Sequence, residues 1–176
     1  MNILAISGSL RAASINSALL RSAVGLTPPG VRLTVFEGLG DLPLFNPDLE
    51  AQPAPTVLRW HAAVAGADAL LIASPEYAHG VSGVMKNALD WLVSFEPFVG
   101  KPVALLNASP RAQHARAHLL ETLTTMSAQI VEAACIDLPL LGGPQPLHER
   151  LALEAVQQAL RAALLDLCNA VSPCVA

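Results

Sequence analysis

The stretch Ile6-Ser7-Gly8-Ser9-Leu10-Arg11-Ala12-Ala13-Ser14-Ile15-Asn16 joins an apolar run at residues 3–6 to a helical pattern that begins at Ile15. The run is too short for a helix and is punctuated by Gly8, so it reads as a buried strand. Gly8 lets the backbone approach a ligand closely. The helix start beyond it offers unpaired N–H groups and a partial positive charge. Ser9, Ser14 and Asn16 add side-chain donors and Arg11 a full charge. Strand, hydroxyl-rich loop and helix together make an anion cradle at the carboxyl end of a first β-strand. Neither G-x-G-x-x-G nor G-x-x-x-x-G-K-[ST] occurs in this loop, so it is not one of the common nucleotide fingerprints.

Outward from this loop, apolar runs alternate with helical periods. Residues 15–26 place Ile15, Leu19, Leu20, Ala23 and Leu26 at helical spacing and stop at Pro28-Pro29-Gly30. Val31, Leu33 and Val35 alternate with Arg32, Thr34 and Phe36 as a second strand. Residues 38–55 hold Pro43, Pro47, Pro53 and Pro55 with no clear period, a long loop of the kind that covers a site. A helix over 56–65 leads to a third strand at 69–73, which runs into Ser74-Pro75-Glu76-Tyr77-Ala78-His79-Gly80-Val81-Ser82-Gly83. A helix over 84–95 follows, apolar on nearly every side. The fourth strand, 103–106, leads into Asn107-Ala108-Ser109-Pro110-Arg111 and a helix over 113–127. A fifth strand at 130–138, a Gly/Pro loop at 140–147 and a long helix over 149–171 complete the pattern.

Five strands that are apolar throughout, each followed by a helix, predict an α/β fold: a parallel sheet covered on both faces. Right-handed crossovers leave few topologies. The open order 2-1-3-4-5 reverses direction between strands one and three, and ligands bind outside the strand carboxyl ends at that reversal. The chemically loaded loops follow strands one, three and four, so this order gathers all three at one crevice.

The 176 residues predict a single domain over 1–176 with a sizeable core. Hydrophobic residues make up 53% and charged ones 14%, a surface poor in charge that favours self-association. There is no apolar run of the roughly 18 residues a membrane span needs and no basic segment before the first strand, so no membrane is expected and the reading is cytoplasmic. A net charge of −4 without a Lys/Arg cluster argues against nucleic acid. Cys135, Cys168 and Cys174 form no Cys-x-x-Cys motif and suit a reducing compartment; Cys135 reads as a small hydrophobe. His114 and His118 have the i, i+4 spacing of a metal pair but no evident third ligand, so no metal is expected. Lys86 and Asp90 read as an exposed i, i+4 pair, and Asp41, Asp48 and Glu50 as solvated.

Gly8-Ser9-Leu10-Arg11 with Ser14 and Asn16, Pro75-Glu76-Tyr77, and Lys86-Asn87-Ala88-Leu89-Asp90-Trp91 together resemble the NAD(P)H-dependent FMN reductase family over residues 1 to about 135. The resemblance implies a flavodoxin-like three-layer sandwich, bound FMN, and NADPH or NADH as co-substrate. It implies hydride transfer to the flavin and onward to a small acceptor (a quinone, flavin, azo compound or metal oxyanion) in ping-pong turnover. Ser9, Arg11, Ser14, Ile15 and Asn16 would hold the FMN phosphate end. Pro75, Glu76, Tyr77, Ala78, His79 and Gly80 would line the isoalloxazine, with Ser109 and Arg111 on the facing loop. No protein side chain need be an obligatory acid or base. Glu76 reads as a turn-stabilising carboxylate bonded to neighbouring backbone. Family members pair through the helix at 84–95, which implies a homodimer or homotetramer. Ala78, where many members have Asn, and Pro110 to His114, where many have a glycine-rich turn, depart from the pattern. A flavodoxin-like electron carrier without enzymatic activity, and a fold relative that has lost its flavin, remain alternatives at this level.

Overall fold

A computed structural model describes residues 1–142 and 144–171; Cys174 and the end of the chain lie outside that range. Strand β1 (Asn2–Ser7) leads to helix α1 (Ile15–Val24), β2 (Arg32–Val35), α2 (Pro55–Ala65) and β3 (Ala69–Ala73). A two-stranded hairpin, β4 (Glu76–Tyr77) and β5 (Gly80–Val81), precedes α3 (Gly83–Asp90) and β6 (Pro102–Asn107). Helix α4 (Gln113–Thr125), β7 (Gln129–Ile130), β8 (Ile136–Asp137), α5 (Leu147–Ala152) and α6 (Glu154–Val171) follow.

The main sheet runs β2-β1-β3-β6-β7, with β8 also paired to β6, and every pairing in it is parallel. This is the expected 2-1-3-4-5 order, β6 being the fourth strand. Register alternates the side chains between two cores. Ile3, Ala5, Leu71 and Leu106 face α1 and α6, where they meet Leu19, Leu20, Leu160 and Leu164. Leu4, Ile6, Leu70 and Leu105 face α2, α3 and α4, where they meet Trp60, Met85, Leu89 and Leu123. The strands are apolar throughout because both faces are covered, which makes a three-layer sandwich.

Several boundaries differ from the sequence expectation. The fifth strand is not continuous over 130–138: a 3-10 turn at Glu132–Ala134 splits it into β7 and β8, and Cys135 turns its Sγ toward the Leu105 N–H at 3.3 Å. The closing helix breaks at Leu153, whose backbone is extended, so α5 and α6 are separate. The stretch 74–83 is not plain loop but contains the β4–β5 hairpin.

The helix expected at 84–95 stops at Asp90, and it is not apolar all round. Lys86 pairs with Asp90 on its outer side. The proline-rich segment covers the rest. Asn87 accepts the Phe45 N–H through Oδ1 at 2.8 Å and donates through Nδ2 to the Pro43 carbonyl at 3.0 Å. The Trp91 indole N–H reaches the same carbonyl at 2.8 Å, and its ring meets Phe45 edge-on at 5.1 Å. Ser94 adds a hydrogen bond to Glu50, which is therefore an anchor and not merely solvated. Trp91 and Leu92 are thus buried within one chain, while Leu44 and Val93 remain 84% and 64% exposed.

Asn87→Ala leaves the Phe45 amide and one Pro43 bond unmade in a half-buried site, at a cost of about 1–3 kcal/mol. The expected outcome is a lower denaturation midpoint and faster proteolytic cutting within 38–55; unchanged cutting would show that the segment is held otherwise. Burial pushes the Cys135 thiol up from its ordinary range, against the opposing pull of the Leu105 N–H and Arg116. Cys135 should therefore react slowly with a thiol-disulfide reagent in the folded protein and at the rate of a free thiol once unfolded, as followed by mass spectrometry.

Candidate active site

The carboxyl ends of β1, β3 and β6 open into one crevice of about 310 Å³, within the range of small-ligand sites. Its first wall is the loop after β1 and the start of α1, with Ser9, Arg11, Ala13, Ser14, Ile15 and Asn16. Ser14 is the N-cap: its Oγ accepts the Ser17 N–H at 3.1 Å, which leaves the hydroxyl hydrogen free to donate. The Ile15 and Asn16 amides, as the first two helical residues, have no partner inside the helix. There is no acidic residue in that first turn. Beneath the loop, the Ser7 and Ser17 hydroxyls bond at 2.7 Å and Ser7 Oγ accepts the Ser9 N–H, so these two serines shape the cradle from below.

The second wall is Ser74, Pro75, Glu76 and Tyr77 at the end of β3 and in the hairpin. The tip residues Ala78 and His79 have φ of 49° and 58°. Two consecutive positive φ values are the pattern of a tight hairpin turn that favours Asn and Gly, so both residues here are held in strained backbone. Neither these two tip residues nor Gly80, which opens β5 opposite Tyr77, is among the residues lining the crevice. The His79 ring stacks on His114 with centroids 4.4 Å apart. His114 is thus partnered across the fold and not with His118, and among the described residues no cluster of three His, Cys, Asp or Glu could hold a metal.

Glu76 departs from its expected role. Its Oε2 accepts the backbone N–H of Ala115 at 2.9 Å, so its partner is the first turn of α4, 39 residues away, not neighbouring backbone.

The third wall is the segment after β6, with Asn107, Ala108, Ser109, Arg111 and Ala112. Asn107 is 6% exposed; its Nδ2 donates to Asp137 Oδ1 at 2.7 Å and its Oδ1 accepts the Ser109 N–H at 3.2 Å. Leu141 closes the rim, held by its N–H to the Ala108 carbonyl, and the Arg150 guanidinium donates to the carbonyls on either side of it, Leu140 and Gly142.

Of the residues singled out from sequence, Ser9, Arg11, Ser14, Ile15, Asn16, Pro75, Glu76, Tyr77, Ser109 and Arg111 share this crevice. Ala13, Ser74, Asn107, Ala108, Ala112 and Leu141 line it as well and were missed. Ser74 and Asn107 stand at strand carboxyl ends and were findable on that ground, whereas nothing local marks Leu141. The crevice carries two guanidiniums against one carboxylate, and that carboxylate is engaged by a helix amide. The donor set fits a ligand with a phosphate at the α1 end.

In overall form the chain is similar to the Paracoccus denitrificans flavoenzyme NAD(P)H:(acceptor) oxidoreductase FerB, with a TM-score of 0.75 over 96% of this chain and 97% of that one at 24% identity. In sequence it is 44% identical over 132 residues to an NAD(P)H-dependent FMN reductase of Pseudomonas aeruginosa, covering 70% of this chain and 69% of the relative. It is 35% identical over 162 residues to a quinone reductase of Pseudomonas putida, covering 84% and 81%. Residues 1–138 match the NADPH-dependent FMN reductase family, and the chain belongs to that family.

Proposed function

We propose that this chain is an NAD(P)H-dependent oxidoreductase that holds FMN in the crevice and reduces a small acceptor, a quinone being the class that the name of the Pseudomonas putida relative favours. The observation that carries this reading is the convergence of an acid-free helix start, with free amides and a guanidinium, upon a slot edged by Tyr77. FMN would supply the redox centre for hydride transfer, as cofactors do in such enzymes. The chain's own residues bind and orient. Arg11, the Ser9 and Ser14 hydroxyls and the Ile15 and Asn16 amides grip the phosphate. Pro75, Glu76 and Tyr77 form one side of the ring slot and Ser109 and Arg111 the other, with the Ala78-His79 tip and Gly80 at its mouth. No side chain serves as an obligatory acid or base; positioning of nicotinamide against the ring does the catalytic work. Coenzyme and acceptor use the same crevice in turn.

The protein works in this reading as one domain over 1–176, in the cytoplasm, without nucleic acid or membrane; among the described residues no helix is long and apolar enough to cross a bilayer. A second copy packs on the region of helix 84–95, through Val93 and the exposed Leu44 of the segment covering α3, giving a homodimer or homotetramer. The names of the relatives favour an enzyme over a passive carrier.

The purified protein should be yellow or become so with added FMN, and anaerobic mixing with NADPH or NADH should bleach the flavin band rapidly. A protein that takes up no flavin overturns the reading, and one whose bound flavin neither coenzyme reduces is a carrier. Arg11→Ala removes a charge-assisted bond, about 1.5–3 kcal/mol, so FMN affinity should fall about ten- to a hundredfold. Riboflavin, which lacks the phosphate, should bind the variant and the wild type alike in a fluorescence titration; an equal loss for both ligands would place Arg11 at the ring.

A further inference from the structure

Helix α4 begins without a cap of its own. Its N-cap is Ala112, no side chain there reaches the first-turn amides, and no acidic residue lies in that turn. Such a helix start leaves donors unsatisfied unless something distant supplies an acceptor. Glu76 is that acceptor, reaching from the β4–β5 hairpin to the Ala115 N–H at 2.9 Å. Ala115 is buried, so water is a poor substitute. A second fastening lies beside it, the His79 ring stacked on His114 of the same helix turn. The residues just before α4 are Ser109 and Arg111, the opposite wall of the crevice. Hairpin and α4 are therefore tied at two points, and each carries one wall of the slot.

Resting on the functional reading above, we propose that Glu76 is a positioning residue that sets the width of the ring slot by closing the α4 N-terminus, acting through Ala115. The bond restrains a turn that has reason to move, because Ala78 and His79 occupy positive φ that neither residue favours. A free hairpin would relax, and the wall formed by Pro75 and Tyr77 would shift against the wall formed by Ser109 and Arg111.

Three variants of the full chain, loaded with FMN, separate geometry from charge. Glu76→Gln keeps an acceptor oxygen at the same reach and loses the charge. Glu76→Asp keeps the charge but is one methylene too short for the bond. Glu76→Ala loses both. Positioning predicts that Gln keeps slow Ala115 exchange and the flavin dichroism of the wild type, while Asp and Ala raise the FMN dissociation constant about five- to tenfold, the size of a lost helix cap. It also predicts for Asp and Ala an altered visible circular dichroism of the bound flavin and a slower limiting rate of its reduction, with nicotinamide affinity unchanged. Amide exchange at Ala115, measured without flavin, should quicken in Asp and Ala only. Quickened exchange with unchanged FMN affinity and dichroism would reduce Glu76 to a stabilising cap and overturn the proposal. So would normal behaviour in Asp with loss in Gln, which would assign the effect to charge. A wild type that takes up no FMN overturns the functional reading itself; a wild type that binds it, beside an Ala variant that binds it equally well, overturns this inference alone.

Discussion

The site depends on how closely two loops pass at the point where the strand order reverses. Gly8 donates its N–H to the Ala73 carbonyl at 2.9 Å, continuing the β1–β3 pairing one residue past β1 itself. Its own carbonyl accepts the Ser82 hydroxyl at 2.6 Å. A Cβ at this position would overlap the Ser74 side chain and crowd Ser82 Oγ, so the requirement for glycine is steric and comes from the protein, not from the ligand. Ser82 immediately precedes α3, and Ser74 lines the crevice. One glycine thus locks the anion cradle, the hairpin and the start of α3 into a common frame.

That frame was legible because its causes are local and periodic. Apolar runs at residues 3–6, 69–73 and 103–106 could only be buried strands, and the loops after them were visibly polar. The topology then followed from handedness and from where the polar loops had to meet. The parts that local pattern does not announce have long-range causes. Trp91 and Leu92 looked like surplus apolar surface because the proline-rich segment carries no period to announce that Pro43 and Phe45 dock on Asn87 and Trp91. The hairpin at Glu76–Val81 was hidden because its turn is Ala-His, residues that signal no positive φ, and only tertiary contacts hold it there. Leu153 broke the last helix without proline or glycine to mark the break.

The same distinction separates the two ends of the crevice. The α1 end is built from one continuous piece of chain, in which Ser14 caps its own helix and the acceptors and donors lie within a few residues. Its chemistry can be read from a window of sequence. The other end is assembled from two pieces, the hairpin and the approach to α4, which touch only in the folded state. Its geometry therefore responds to residues that no short window connects.

The electrostatics of that second end follow from the same contact. A carboxylate lining a crevice for a phosphorylated ligand would ordinarily repel it, and removing a carboxylate from water is costly without a partner. The Glu76 carboxylate instead faces the positive end of α4, where Ala112 supplies no side-chain cap. Arg11 and Arg111 are the two cationic side chains that line the crevice beside it, in a chain with only 14% charged residues. A helix left uncapped by Ala112 and an acid placed in an anion site would each be a defect alone; the bond between them gives one first-turn donor its acceptor and the carboxylate a partner.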